Sequence, residues 1–193
     1  MQGRRGRAAP RRGPGIADTP TTGPAAILVA GGRGQRASVS PRQVAKQFRP
    51  LAGKRVFEWS LDTLLSFGCD PVVCVFPREH LESAESIARR DRVLTTGGGS
   101  SRQASVAAGL ELVDAPTVIV HDAARPLVTE AMLAAVMAPL SDLDGAITAL
   151  RMNETIKRTG DDLVIETVDR SDLWRSQTPQ AFRTEALKQA HKK

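Results

Sequence analysis

Short apolar segments alternate with helical segments along this chain, and the alternation constrains the fold more than any other feature. The apolar runs cover residues 25–30, 71–76, 116–122 and 145–150. Continuous apolar runs of this length are typical of strands buried on both faces of a parallel sheet, because helices cover both sides of such a sheet. The sequence therefore predicts an α/β fold with a doubly wound, mainly parallel sheet.

Helical patterns occupy the intervals between these runs. Residues 56–67 predict an amphipathic helix that ends at Gly68, and residues 78–90 predict a charged helix. Residues 128–138 predict a further helix. After Asn153 the pattern changes, and "ETIKRTGDDLVIETVDR" predicts two extended arms around the turn "TGDD".

The net charge of +6 comes mainly from the start of the chain. Five arginines lie in the first twelve residues, and without them basic and acidic side chains nearly balance. We expect residues 1–23 to be a basic, disordered tail and residues 24–193 to form one domain. Nucleic-acid binding is disfavoured, because no aromatic side chains are interleaved with the arginines to stack on bases.

Neither a signal peptide nor a membrane span is expected, since the tail has no apolar centre and no run approaches the ~18 to 20 apolar residues that a span needs. The sequence therefore predicts a cytoplasmic protein. Cys69 and Cys74 do not have the spacing of a zinc motif. We expect both to be reduced, half-buried thiols.

The loop after the first apolar run, "AGGRGQR", has the composition of a phosphate-binding loop. Gly31, Gly32 and Gly34 allow backbone N–H groups to approach a phosphate, and Arg36 and Lys46 add positive charge. The loop is neither a Walker loop nor a dinucleotide fingerprint, because it lacks the Gly-Lys-Ser/Thr of the one and the third glycine of the other. A turn with a purely structural role is the alternative.

Two further loops are expected at the same edge of the sheet, where ligands bind in doubly wound folds. In "GGGSSRQASVAAGL", the glycines 97–99 permit close backbone approach, so backbone groups and Ser105 could read a base or a ribose hydroxyl. Ser100 or Ser101 could cap the next helix. A flexible loop with a helix cap is the alternative reading.

In "VIVHDAARPLV", Asp122 could hold a hard cation such as Mg²⁺ that bridges phosphates. Alternatively, Asp122 caps the following turn and pairs with Arg125. His121 is expected to pack or to form hydrogen bonds rather than to act as a base.

These loops occur together with further motifs in an order that resembles a known family. The matching stretches are "AGGRGQR", "KQFRPLAGK", "GGGSSRQASVAAGL", "VHDAARPLV", "ETIKR", "ETVDR" and "LWRSQTPQAF", within residues 25–182. In them the chain resembles the 2-C-methyl-D-erythritol 4-phosphate cytidylyltransferases. The resemblance implies a nucleotide-diphospho-sugar transferase type of fold with a protruding β-arm. It also implies transfer of CMP from CTP to a small sugar-alcohol phosphate, with release of pyrophosphate.

The resemblance assigns roles to individual residues. Arg36 and Lys46 would be catalytic, stabilising charge at the α-phosphate of CTP. Asp122 would hold Mg²⁺. The implied CTP-binding residues are Gly31, Gly32, Gly34, Gly99 and Ser105, and the implied residues for the methylerythritol phosphate are Arg125, Thr155 and Thr167. The arm that carries the two threonines would clasp a second subunit, so a homodimer is expected.

The chain departs from the family pattern in two places. The segment between Arg36 and Lys46 is longer than in the family, and Arg42 is a rival for the position of Lys46. Family members also continue past "TPQAF" with a further strand and an Asn-Ile-Lys stretch, so the domain is expected to be truncated at its C-terminal end. A ribitol 5-phosphate cytidylyltransferase and an inactive nucleotide-binding homologue therefore remain alternatives.

Overall fold

The computed structural model of the chain describes residues 23–31, 45–81 and 85–192. The strands are β1 (Ala25–Val29), β2 (Pro50–Leu51), β3 (Lys54–Arg55), β4 (Val72–Phe76), β5 (Val93–Gly97), β6 (Thr117–Asp122), β7 (Gly145–Arg151), β8 (Ile156–Gly160), β9 (Leu163–Val168) and β10 (Trp174–Arg183). The α-helices are α1 (Val56–Ser66), α2 (Glu85–Ala88), α3 (Arg102–Leu110), α4 (Glu130–Met137) and α5 (Thr184–Ala190). Short 3-10 turns occupy Lys46–Phe48, Arg78–His80 and Ala138–Ser141.

Six strands form one sheet in the order β5-β4-β1-β6-β10-β7. Strand β1 pairs in parallel with β4 and β6, and β4 pairs in parallel with β5. Strand β10 runs antiparallel between β6 and β7. The predicted mainly parallel sheet is confirmed, and the single antiparallel strand is an addition that the apolar pattern did not predict.

Strand β10 escaped the sequence pattern for a physical reason. Proline in a run of residues argues against a central strand, because it donates no ladder hydrogen bond. Here the register shifts between Ser176 and Gln180, and Pro179 lies within that irregularity. The bulge accommodates the proline while the pairing continues on both sides of it.

Apolar side chains fill both faces of the sheet. Ala26 and Leu28 of β1 belong to a buried cluster that includes residues of α1 and α4. Ala25 and Ile27, which alternate with them, belong to a second cluster that includes residues of α3. All four side chains are fully buried. The doubly wound arrangement therefore follows directly from the continuous apolar run.

Helix α1 forms close to its predicted bounds. The Glu58 carboxylate accepts a hydrogen bond of 2.8 Å from the backbone N–H of Arg55 at the start of the helix. The helix ends before Gly68, whose φ of +93° is favourable for glycine. None of the helices in the described ranges is long and apolar enough to cross a membrane.

Two predictions about this half of the chain are wrong. The single helix expected over residues 78–90 is a 3-10 turn at Arg78–His80 followed by the four-residue helix α2, with residues 82–84 outside the described ranges. A tertiary contact accompanies the turn, since the His80 and Phe48 rings lie 4.9 Å apart. Cys69 and Cys74 are free as expected, but they are fully buried rather than half-buried.

The two predicted extended arms form the antiparallel hairpin β8–β9, separate from the main sheet. Asp161 and Asp162 make the turn with φ values of +47° and +62°, in the region that aspartate tolerates better than most residues. Every residue of both strands is exposed or half-buried. The hairpin is therefore a protruding arm.

Candidate active site

The loops that carry the predicted site residues meet at the carboxyl edge of the sheet. The N–H of Ala123, just after β6, donates to the carbonyl of Val29 at the end of β1 at 3.0 Å. The N–H of Gly98, just after β5, donates to the carbonyl of Phe76 at the end of β4 at 2.7 Å. The three loops therefore leave the sheet side by side, as the strand pattern predicts.

Lys46 lies beside the end of β1 because its neighbour is anchored there. The buried amide of Gln47 donates a hydrogen bond of 2.6 Å to the carbonyl of Ala30. Phe48 packs against the rings of Phe57 and Phe76, with centroid distances of 5.9 and 5.8 Å. Lys46 itself is exposed, so its ammonium group is available at the edge where the glycine loop begins.

Ser105 joins two glycine loops. Its buried hydroxyl accepts a hydrogen bond from the N–H of Gly99 at 3.2 Å and donates to the carbonyl of Ser101 at 2.9 Å. A Cβ at Gly31 or Gly98 would lie 3.0 or 2.8 Å from this hydroxyl oxygen. Gly31, Gly99 and Ser105 are thus brought together, and the absence of side chains is what allows the loops to approach so closely.

The helix cap predicted in this loop is present at the second of the two serines. The Ser101 side chain accepts a hydrogen bond of 3.0 Å from the N–H of Ala104 at the start of α3. The cap holds the first turn of α3 at the edge of the sheet, and Arg102 is the first residue of that helix.

Asp122, the last residue of β6, lies between two arginines. Its Oδ1 is 2.9 Å from Nε of Arg102, and its Oδ2 is 3.4 Å from Nε of Arg125. The predicted pairing of Asp122 with Arg125 is present, and Arg125 N–H also donates to the Asp122 carbonyl at 3.0 Å. Two guanidinium groups around one carboxylate leave this point of the edge with excess positive charge.

Residues of β10 complete the cluster. The N–H of Asp122 donates to Thr178 Oγ1 at 3.2 Å, and the Arg125 guanidinium donates to the side-chain oxygen of Gln177. Arg102, Gln177 and Thr178 are site residues that the sequence motifs did not predict. All three occur in the quoted motifs, but only the pairing of β10 with β6 brings the last two beside Asp122.

His121 is buried and forms a hydrogen bond, as predicted. Its Nε2 donates to the carbonyl of Arg125 at 3.0 Å. Burial lowers the pKa of this imidazole, and the bond to the Arg125 carbonyl and the charge of Asp122 oppose that shift only in part. The same carbonyl accepts a hydrogen bond of 3.0 Å from the hydroxyl of Ser60 on α1.

Asp122 is the predicted ligand for a metal ion at this edge. Among the described residues, no three His, Cys, Asp or Glu side chains cluster in a way that could hold a metal ion. A lone carboxylate fits Mg²⁺ better than zinc, because Mg²⁺ keeps several waters and takes further oxygens from substrate phosphates. The residues present are therefore compatible with the predicted ion.

Thr155 and Thr167 lie on the arm rather than at the sheet edge. Thr155 precedes β8 and is exposed, and Thr167 Oγ1 accepts a hydrogen bond of 2.6 Å from Lys157 Nζ across the hairpin. Within the described ranges, no hydrogen bond or ion pair joins either threonine to Asp122 or Arg125. Within a single chain, the two threonines are therefore not bonded to Arg125, the other predicted substrate-binding residue.

Several predicted residues lie outside the described residues. These are Gly32, Gly34, the catalytic candidate Arg36, and Arg42, the rival for the position of Lys46. Their roles stay predictions.

A cleft of about 600 Å³ lies at the opposite edge of the sheet, at the start of β6 and the end of β10. Thr117, Arg183 and Lys188 are among its lining residues, and Arg183 and Lys188 donate to backbone carbonyls there. None of the predicted site residues lines it, so the carboxyl edge is the better candidate.

The fold and the charged carboxyl edge define a nucleotidyltransferase-like α/β protein. A crystal structure of 4-diphosphocytidyl-2C-methyl-D-erythritol synthase from Anaerococcus prevotii matches with a TM-score of 0.73 and 25% identity, over 87% of this chain and 73% of that one. The 2-C-methyl-D-erythritol 4-phosphate cytidylyltransferase of Thermus thermophilus matches with a TM-score of 0.67 and 28% identity, over 88% of this chain and 75% of that one.

The sequence comparisons specify the family. The family model described as 2-C-methyl-D-erythritol 4-phosphate cytidylyltransferase matches residues 25–193. The chain belongs to this family. It is 38% identical over 175 residues to the bifunctional enzyme IspD/IspF of Agrobacterium fabrum and 41% identical over 172 residues to that of Caulobacter vibrioides. These matches cover 86% and 83% of this chain but 44% and 43% of the relatives, so the chain spans less than half their length.

Proposed function

We propose that this chain transfers CMP from CTP to 2-C-methyl-D-erythritol 4-phosphate and releases pyrophosphate. Family membership supports the reaction type. The observation that carries the proposal is the meeting of two glycine loops with Lys46, Arg102, Asp122 and Arg125 at one edge of the sheet. Phosphoryl-type transfer depends on positioning and on electrostatic stabilisation more than on a covalent nucleophile, and this edge offers both.

In this proposal the glycine loops and the basic residues divide the work. Backbone N–H groups near Gly31 and Gly99 approach the nucleotide, and Lys46 stabilises charge at the α-phosphate together with Arg36. The exposed position of Lys46 and its rigid neighbours Gln47 and Phe48 support this role. Arg125 binds the phosphate of the acceptor.

The proposal includes Mg²⁺ at Asp122. When bound, the ion would neutralise the triphosphate and its leaving pyrophosphate. The two arginines that pair with Asp122 are half-exposed, so Arg102 can turn toward phosphate oxygens of the nucleotide and Arg125 toward the phosphate of the acceptor. That exchange would release the carboxylate for the ion.

The proposal also includes a homodimer in the cytoplasm. Three consecutive apolar residues of the arm, Leu163, Val164 and Ile165, are 72, 62 and 65% exposed. An exposed apolar strand favours a partner that covers it. A second copy would also bring Thr155 and Thr167 to the sheet edge of its neighbour. The free thiols of Cys69 and Cys74 are consistent with a reducing compartment.

Pyrophosphate release tests the reaction. The protein is incubated with CTP, Mg²⁺ and either 2-C-methyl-D-erythritol 4-phosphate or ribitol 5-phosphate. We expect release with the first acceptor, a loss of at least about a hundredfold in Lys46→Ala, and no change in the surface variant Lys192→Ala. Preference for ribitol 5-phosphate would overturn the substrate. Binding of CTP without pyrophosphate release from the unaltered chain would favour an inactive nucleotide-binding protein.

Sedimentation velocity tests the dimer. Val164→Asp places a charge within the apolar strand of the arm, and we expect it to shift the protein toward the monomer. Leu143→Asp is the control, because Leu143 is 55% exposed and lies away from the arm, before β7. A monomer in the unaltered chain would contradict the proposed dimer.

A further inference from the structure

The carbonyl oxygen of Arg125 accepts two hydrogen bonds from buried side chains. Ser60 Oγ donates to it at 3.0 Å from α1, and His121 Nε2 donates to it at 3.0 Å from β6. Ser60 is fully buried and His121 is 1% exposed. A backbone carbonyl has two lone pairs, so both acceptor positions of this oxygen are filled by these two residues.

The remaining backbone of Arg125 is also constrained. Its N–H donates to the carbonyl of Asp122 at 3.0 Å. Pro126 follows, and a residue before proline is restricted to extended conformations. The Arg125 side chain, by contrast, is 44% exposed at the carboxyl edge of the sheet. A fixed main chain therefore presents a guanidinium group that is open to a ligand.

His121 is an unusual side chain for its surroundings. Ile119 on β6 and Ala123 just after the strand, two residues before and after His121, belong to the apolar cluster on the face of α1 and α4. Because Nε2 donates to a carbonyl, the neutral ring carries its hydrogen there. Its Nδ1 is buried and finds no hydrogen-bond partner among the described residues. A buried acceptor without a partner destabilises a folded protein, so the single bond to Arg125 is the contribution that distinguishes this imidazole from an aliphatic side chain.

We propose that Ser60 and His121 are positioning residues that hold Arg125 in the orientation in which it binds the phosphate of the acceptor. The inference rests on the proposed function, in which Arg125 contacts that phosphate. Asp122 pairs with Arg125, but Arg102 and Thr178 hold it independently of the Arg125 carbonyl. Losing the bonds to the Arg125 carbonyl should therefore weaken binding of the acceptor and leave binding of CTP nearly unchanged.

Three variants separate positioning from packing. Ser60→Ala removes one donor. His121→Asn removes the other, because the asparagine amide nitrogen occupies the place of Nδ1 and falls short of the carbonyl. His121→Gln retains a donor at the place of Nε2. Thr63→Ala, on the same helix as Ser60, is the control, since its hydroxyl donates to the Trp59 carbonyl one turn earlier.

Steady-state kinetics with each substrate varied in turn give the first readout. We expect Ser60→Ala and His121→Asn to raise KM for the acceptor roughly five- to twentyfold, with kcat and KM for CTP within about twofold of the unaltered protein. His121→Gln should restore the acceptor KM to within about threefold. A merely structural role would lower the active fraction, and with it kcat, without separating the two KM values.

Three kinetic results would overturn the inference. They are an unchanged acceptor KM in Ser60→Ala and His121→Asn, an equal rise in both KM values, and a failure of His121→Gln to differ from His121→Asn. If His121→Asn does not fold, Ser60→Ala and His121→Gln still decide the question through the same two KM values.

An NMR measurement does not depend on activity. The Nε–H resonance of Arg125, in protein labelled with ¹⁵N-arginine, should shift and broaden in Ser60→Ala and His121→Asn and stay near its original position in His121→Gln and Thr63→Ala. An unchanged resonance in all four variants would overturn the positioning role. If the unaltered chain releases no pyrophosphate with any acceptor, the proposed function fails, and this resonance alone decides whether the two residues position Arg125.

Discussion

Nε of Arg102 lies 2.9 Å from Oδ1 of Asp122, although the two residues are 20 positions apart in the chain. Arg102 begins α3 and Asp122 ends β6, so the ion pair connects two of the loops at the carboxyl edge. Arg125 approaches the other carboxylate oxygen at 3.4 Å. The pair therefore places within the candidate site an arginine that was not predicted to belong to it.

Replacing Arg102 with alanine should reduce activity much more than stability. The Asp122 and Arg102 side chains are 31 and 47% exposed, so solvent screening limits the contribution of the pair to less than about 1 kcal/mol of unfolding free energy. We expect kcat/KM for CTP to fall at least about tenfold, because phosphate binding loses a cation. Arg89→Ala is the control, since Arg89 is exposed on the segment after α2. A large loss of stability with unchanged kcat/KM would show that the pair is structural.

Gly98→Ala and Ser105→Ala should show coupled effects on stability. A Cβ at Gly98 would lie 2.8 Å from Ser105 Oγ, so Gly98→Ala alone should destabilise by about 1 to 3 kcal/mol. Ser105→Ala alone removes the partner of the Gly99 N–H and should destabilise by about 1 kcal/mol. The double variant lacks the Ser105 hydroxyl oxygen, so its loss of unfolding free energy should be about 1 kcal/mol smaller than the sum of the two single losses. Urea denaturation of all four proteins measures this, and strict additivity would contradict the contact.

Ala52→Asn should stabilise the β2–β3 hairpin. Ala52 has a φ of +48° and Gly53 a φ of +85°, as in the two-residue turns that favour Asn-Gly. Left-handed backbone is unfavourable for alanine, so the substitution should raise the unfolding free energy by about 0.5 to 1 kcal/mol. Gly53→Ala is the matched opposite and should lower it by about 1 kcal/mol. Urea midpoints provide the test, and a midpoint lowered by Ala52→Asn would refute it.

Alkaline pH should destabilise the protein through its two cysteines. Burial raises the pKa of both the Cys69 and the Cys74 thiol to about 12, whereas thiols of the unfolded chain ionise near pH 9. Between these values the unfolded chain loses protons that the folded chain keeps. Stability should therefore be unaffected below about pH 8 and fall above pH 9, with a slope approaching 1.4 kcal/mol per pH unit for each thiol.

Replacing both cysteines with alanine distinguishes the contribution of the thiols to the pH dependence from that of the other groups that titrate at high pH. In Cys69→Ala/Cys74→Ala the loss of unfolding free energy between pH 9 and 11 should be smaller than in the unaltered chain, as measured by urea denaturation. Equal losses in the two proteins would contradict the raised pKa values. As an independent check, a thiol reagent at pH 8 should react with neither cysteine until the protein unfolds.

Much of the fold could be predicted because apolar runs, helix ends and turns are each specified by short stretches of sequence. A run such as 71–76 is too apolar to be anything but buried, and Gly68 is a typical end for the helix before it. The turn "TGDD" likewise combines residues that tolerate positive φ. The single helix predicted over residues 78–90 was wrong because the charged residues there have no strong periodicity. A tertiary contact such as that between His80 and Phe48 therefore outweighed the weak local preference for a helix.

The amino-acid sequence by itself determined the alternation of strands and helices, and with it the edge at which Gly31, Gly99 and Asp122 gather. Only the tertiary structure decided which side chains act on one another there. Ser60 and Arg125 are 65 positions apart, and Asp122 and Thr178 are 56 apart. Contacts over such separations depend on how α1 packs on the sheet and on the insertion of β10 beside β6. Neither follows from local periodicity, because periodicity specifies which face is apolar and not which element covers it.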